Sequence, residues 1–235
     1  MNTIDCPKLI ENPCGFVKLV DILPRFYVSE NLKCDEAIVQ AARVSYDGVS
    51  KGDNADSKLV RFLMKHNHGT PMESIIFKFH IKCPIFVQRH IVKHRMTSMN
   101  EISARYVEVT DEWYTPQHFR QQSSSNRQAS GENIETDKNE NLKVLFDEKA
   151  KEIYEFYKTL LDQGVSREQA RSILPQGMMT QFYLTLNLRS LMNLVYLRNS
   201  PDAQWETQQI AAGMEQIWSE VAPVSYAQYK LDNAQ

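Results

Sequence analysis

Across residues 74–83, SIIFKFHIKC, apolar and polar side chains alternate strictly: Phe77, Phe79 and Ile81 against Lys78, His80 and Lys82. That period is the pattern of a strand with one face buried and the other wet. Two segments before it repeat at helical spacing instead. Residues 35–46 place Ile38, Ala41, Ala42 and Ser45 on one face and close on Asp47-Gly48. After a polar loop, DGVSKGDNAD, residues 57–66 carry Leu59, Phe62 and Leu63 as an expected buried stripe, with Gly69 just beyond. Pro84 can open a further helix carrying IFVQRHIVKHR. On it His90 and His94 would share a face at i and i+4, with Arg89 and Lys93 on an adjacent one. Residues 96–100 show no period and read as loop, and ISARYVEV (102–109) reads as strand.

Residues 117–141 are rich in Ser, Asn and Gln and read as a long exposed loop or insertion. A long amphipathic helix is expected over 140–163, with Leu145, Ile153, Phe156, Tyr157 and Leu160 inward and Gly164 as its stop. Ser166 and Gln169 have capping-box spacing for a short helix ending before Pro175. A strand MTQFYLTLNL then leads through Asn187, a natural N-cap, into the helix RSLMNLVYLRNS. A last helix over 202–221 would bury Ile210, Met214, Ile217 and Trp218. No segment repeats, and the elements lack the regular βαβα order of a parallel sheet. The expectation is an α+β fold in a single domain over residues 1–235.

Composition narrows this picture only a little. At 235 residues, 42% hydrophobic and 24% charged, the chain has ordinary globular proportions, and no window suits a membrane span. The first residues lack the features of an export signal, and the four cysteines show no metal or disulfide spacing, so reduced thiols in the cytoplasm are expected. Cys83 closes an apolar strand and reads as a core thiol rather than a nucleophile. The formal charge of −2 argues against a dedicated nucleic-acid or membrane binder, so any polyanion site must be a local gathering of cations.

Such gatherings exist in two places. Residues 89–105 hold Arg89, His90, Lys93, His94, Arg95 and Arg105 against Glu101 alone, interleaved with Ser98, Asn100 and Ser103. Far downstream come Arg171, Asn187, Arg189, Asn193 and Arg198. Arginine with hydroxyl and amide donors is suited to phosphate and planar anionic ligands. A solvated basic face is the plainer reading of the first group, and a helix-dipole contact that of Arg198. The six histidines have no partner acid at metal-site spacing, so no metal is expected, and no P-loop, G-x-S-x-G or G-x-G-x-x-G occurs. What is left is a site that binds ligands carrying their own chemistry.

The segment KHRMTSMNEISARY, Lys93 to Tyr106, resembles the R-H-R-x-x-S-x-N-E-x-S-x-R-Y signature of flavin-dependent thymidylate synthases at every fixed position but the first. HGTPMES upstream, and RSILP, NLRSLMNLVYLR and AQWE downstream, extend the likeness over most of the chain. The resemblance implies a twisted, mainly antiparallel sheet packed by helices, in a homotetramer with active sites at subunit interfaces. It implies conversion of dUMP to dTMP with 5,10-methylenetetrahydrofolate, FAD and NADPH. It further implies Thr70, Lys93, His94, Arg95, Glu101, Asn187, Leu188, Arg189 and Asn193 as FAD contacts, with His68 near the flavin. His90, Lys93, Arg95, Glu101, Ser103, Arg105, Arg171 and Arg198 are implied as dUMP contacts, Arg198 acting in catalysis on the pyrimidine. Two positions depart from the family. Lys93 stands for an arginine and loses its bidentate fork, and His90 stands where glutamine is common and adds a titratable group. An oligonucleotide binder using residues 89–105, with Tyr106 or Trp113 stacking on bases, is the competing class.

Overall fold

The computed structural model describes residues 9–25, 34–124, 126 and 129–233. Cys6 lies outside them. Seven strands and eight α-helices are present among these residues. β1 (Leu9–Asn12) and β2 (Gly15–Leu23) form a hairpin, followed by α1 (Asp35–Ala42), α2 (Asp53–Lys65), β3 (Ile76–Pro84), α3 (Ile85–Ile91) and β4 (Thr97–Glu101). Then come β5 (Arg120–Gln122), β6 (Ser130–Asn133), α4 (Thr136–Asp162), α5 (Arg167–Ala170), β7 (Met179–Asn187), α6 (Leu188–Arg198), α7 (Trp205–Val221) and α8 (Pro223–Asp232). The main sheet is antiparallel throughout, in the order β1-β2-β3-β7-β4, and β5 pairs with β6 apart from it. This is the α+β arrangement expected, an antiparallel sheet packed by helices.

The alternation read in β3 decides the core. Phe77, Phe79 and Ile81 are fully buried and meet Phe182, Leu184 and Leu186 of β7 in one hydrophobic cluster. Helix α7 supplies Ile210, Met214, Ile217 and Trp218 to the same cluster and packs on β1 and β2. Burying a side chain of this size stabilises by roughly 1.5–3 kcal/mol each, so this cluster is the main hydrophobic contribution to the fold. The opposite face of β3 and β7 is polar: His80 stacks on Tyr183 at 4.8 Å and its Nε2 lies 3.0 Å from Gln181 Oε1.

Several expectations need correction. The stripe of α1 is Ala37, Ile38 and Val39, with Ala41 and Ser45 exposed, because the α-helix stops at Ala42 and a 3₁₀ turn follows. Helix α2 starts at Asp53 and buries Val60, Leu63 and Met64, leaving Phe62 exposed. Its end is set by Asn67 at φ 57° rather than by Gly69. Helix α3 ends at Ile91, not at Arg95, and Pro84 is its N-cap. Residues 97–101 are a strand, whereas 102–109 contain none. The chain there turns at Ser103, whose carbonyl accepts the Tyr106 N–H at 3.0 Å. The polar segment 117–141 holds the β5–β6 hairpin and the first turns of α4, anchored by buried Asn139, which accepts the Phe119 N–H at 2.8 Å. In α4 the inward residues are Ala150, Tyr154 and Tyr157, with Leu145 and Phe156 exposed. The hairpin β1–β2 and helix α8 were not anticipated. Gly15 permits the first: its φ is +131° and a side chain there would overlap the Lys82 carbonyl.

Chain ends are tied together by one carboxylate. Asp35 is buried at the start of α1, and its two oxygens accept the backbone N–H groups of Val224 and Ser225, each at 2.9 Å. It thereby caps α8 from another helix. Asp35→Ala is expected to destabilise by about 1.5–3 kcal/mol, the range for hydrogen bonds to a charged group. Urea unfolding at fixed protein concentration measures this, and an unchanged midpoint would show that the cap contributes nothing.

Candidate active site

Register places the site. Ile76 opens β3 opposite Asn187, which closes β7, and Leu186 pairs with Thr97, which opens β4. The segments just before β3, just before β4 and just after β7 are therefore delivered to one end of the sheet, although His68 and Arg198 lie 130 residues apart in sequence. They are 68–74, 93–96 and 187–198. Helix α3 makes this possible by returning from the far end, and because it is only two turns long, Lys93, His94 and Arg95 fall in the turn beyond it.

Together these segments line a cavity of about 440 Å³ with Lys93, His94, Arg95, Asn187, Arg189, Asn193 and Arg198 on its walls. Four cations face one acid, Glu73, whose Oε1 accepts from Arg189 Nη1 at 2.9 Å. Arg189 also lines a neighbouring cavity of about 700 Å³ with His68, Gly69 and Thr70. A Cβ on Gly69 would come within 2.8 Å of Arg189 Nε, so glycine lets this guanidinium lie against the backbone. Asn187 caps α6 as expected, its Oδ1 accepting the Ser190 N–H at 2.9 Å. Leu188, by contrast, has a fully buried side chain and gives its N–H to Ile75, so its side chain belongs to the core rather than to the cavity wall.

Arg198 does more than face a helix end. Its Nε donates to His94 Nε2 at 2.9 Å. That requires a lone pair on Nε2, hence a neutral ring protonated at Nδ1. Burial, and secondly the charge of Arg198, bring His94 down to about 4. His90 is also pushed below its usual range, by burial and then by Arg198, and its Nδ1 lies 3.0 Å from Thr207 Oγ1 of α7.

The remaining expected residues lie elsewhere. Glu101 ends β4 and lines a different cavity, of about 830 Å³, together with Arg89 and Arg171. Arg105 is beside it, 3.5 Å from Glu168, and Ser103 is in the turn between. Ser103 and Arg105 are thus in a turn, not paired along a strand. The two groups sit at opposite ends of β4, roughly 15 Å apart at the rise of an extended chain. Sequence reasoning missed the residues that hold Glu101: Thr180 Oγ1 donates to it at 2.6 Å and Gln88 Nε2 at 3.3 Å. It also missed Met96, at φ 59°, a backbone conformation uncommon for a non-glycine residue, lining the cavity beside Arg95. Neither carried a local signal, since both depend on strand pairing.

An antiparallel α+β fold with a cationic, amide-lined cavity at one sheet end has the donor chemistry that anionic, planar ligands require. Comparison with known proteins gives the family. The family described as thymidylate synthase complementing protein matches residues 28–224. A flavin-dependent thymidylate synthase of Kosmotoga olearia is 43% identical, covering 93% of this chain and 90% of its own. One of Thermus thermophilus is 42% identical, covering 92% and 76%. The UMP/dUMP methylase PolB of Streptomyces cacaoi, solved with 5-Br dUMP, superposes with a TM-score of 0.80 at 32% identity, covering 92% and 94%. The chain belongs to the thymidylate synthase complementing protein family.

The state of His94 is directly measurable. In the ligand-free protein its imidazole is expected to stay neutral, protonated at Nδ1, from pH 8 down to about 5, titrating near 4. Because the folded value lies below the usual 6.5, the unfolded chain binds the proton first, and this residue lowers stability as pH falls from about 6.5 toward 4. Nitrogen-15 chemical shifts of the ring report this, and a midpoint at 6 or above would contradict the contact with Arg198.

Proposed function

We propose that this chain is a flavin-dependent thymidylate synthase, acting as one domain in the cytoplasm for de novo dTMP biosynthesis. It methylates dUMP to dTMP, taking the carbon from 5,10-methylenetetrahydrofolate, with FAD as hydride carrier and NADPH as reductant. Family membership and the synthases at 42–43% identity support the activity. The single observation that carries the site is the convergence of Arg95, Arg189, Asn193 and Arg198 on one cavity.

The donors present fit a flavin dinucleotide. Lys93, Arg95 and Arg189 would hold its phosphates, Asn187 and Asn193 would supply amide donors, and the Gly69–Thr70 backbone beside Arg189 offers close approach. Bound flavin supplies the reducing equivalents for the new methyl group. Methylating C5 of uracil needs electron density there, and Arg198 would stabilise negative charge over N3 and its flanking carbonyls. A guanidinium stays protonated at every working pH, so it does this without losing its own charge. A thiol nucleophile is unsupported by the cysteines described: Cys14, Cys34 and Cys83 are buried, and burial pushes Cys14 and Cys34 up to about 12. Of the two departures from the family pattern, Lys93 lines the cavity, and His90, close enough to Arg198 to feel its charge, has Nδ1 3.0 Å from Thr207 Oγ1.

Glu101, Ser103, Arg105 and Arg171 complete the dUMP site from a second copy of the chain, in a homotetramer with shared active sites. Their place at the far end of β4, in a cavity different from that of Arg198, supports this reading. Exposed Phe62, Tyr196 and Leu197 near the cavity give apolar surface for such contact.

Purified protein is expected to be yellow and to form dTMP from dUMP, methylenetetrahydrofolate, FAD and NADPH, with UMP assayed alongside. Arg198→Ala is expected to lower kcat by about 10²–10³, as for loss of one donor to a developing anion. Colourless protein that takes up no FAD, or full turnover in the variant, would refute the reading.

A further inference from the structure

Among the described residues no carboxylate forms an ion pair with Arg198, and the acid in its cavity, Glu73, is bonded to Arg189. Its observed partner is the imidazole of His94, which is itself only 7% exposed. That ring stands on a fixed base. The His94 N–H donates to the Ile91 carbonyl at 3.1 Å, and its own carbonyl accepts from Thr97 Oγ1 at 3.1 Å, pinning the turn between α3 and β4. We propose that His94 is a positioning residue for Arg198, its imidazole fixing the plane of the guanidinium so that the remaining N–H donors face the pyrimidine. The inference rests on the role given to Arg198 above.

Two physical reasons favour histidine in this place. Arginine is a long side chain with about 2 kcal/mol of rotamer entropy, and a donor–acceptor contact at Nε sets the orientation of the whole planar fork. A carboxylate would orient it equally well, yet would cancel the charge that a developing anion needs. A neutral ring nitrogen accepts the hydrogen bond and leaves the positive charge intact. The coupling is mutual, since the cation beside it disfavours protonation of the ring. His94 therefore contributes to the reaction through Arg198.

A double-mutant cycle on the flavin-loaded enzyme tests this. His94→Leu, which keeps bulk but removes the acceptor, is expected to lower kcat/KM for dUMP by about 10- to 100-fold, the scale of a hydrogen bond to a charged group. His94→Gln, with a neutral acceptor, recovers most of the loss, whereas His94→Glu does not. In the Arg198→Ala background, His94→Leu costs nothing further. Multiplying losses, or His94→Leu acting as wild type while Arg198→Ala is impaired, would overturn the proposal. Full activity in Arg198→Ala would instead overturn the function assigned to that arginine. If the leucine variant does not assemble, the same cycle is run with His94→Asn, whose shorter amide falls short of Nε and is expected to behave likewise.

Discussion

The pairing of β7 between β3 and β4 is the constraint on which the rest of the molecule depends. Antiparallel register fixes which residues end up opposite one another, and a slip of one residue would turn Phe77, Phe79 and Ile81 out of the core. The same register decides where the functional segments go. With Ile76 opposite Asn187 and Thr97 opposite Leu186, three separate stretches meet at one end of the sheet. Hydrophobic burial on one face of these strands thus holds polar chemistry in place at their tips. The energy that maintains the site comes largely from residues that never touch it.

Electrostatics then sorts the gathered groups. Four cations share one cavity, which in an isolated fold is a cost, met here in part by one ion pair between Glu73 and Arg189. Arg198 and His94 take a different route, with one partner kept neutral so that a donor is held without a counter-charge. The arrangement fits a ligand that brings several negative charges of its own. It also explains why an overall charge of −2 is compatible with anion binding: the cations are local to the sheet end.

Much of this was legible from the residues alone, for identifiable reasons. The alternation in β3, the strand β7, the cap at Asn187 and the buried face of α7 all follow from local periodicity, and each is present. Strand β4 was not legible, because Thr97–Glu101 is a short edge strand with only Thr97 and Met99 half-buried, and it is held by backbone bonds with β7. Residues 102–109 mislead in the opposite sense, since they are rich in β-formers, but after the bond from the Ile102 N–H to Gln181 of β7 the chain turns at Ser103 and the pairing is not continued. In α4 the apolar residues outnumber the inward positions, so Leu145 and Phe156 could not be separated from Tyr154 by spacing alone. The candidate site shows the same division. Its residue types were readable in the motifs, but its partition between the two ends of β4 depends on where α3 stops and how β4 pairs.

That partition underlies the central proposal, that Arg198 and Arg171, which line different cavities of one copy, serve one nucleotide from different copies of the chain. Subunit mixing tests it most directly. Arg198→Ala and Arg171→Ala proteins, each impaired alone, are dissociated together, reassembled, and assayed for dTMP once mass spectrometry shows mixed oligomers. Recovered activity is expected, because some sites in a mixed assembly draw both intact arginines from different copies. Mixed oligomers no more active than either parent would contradict it.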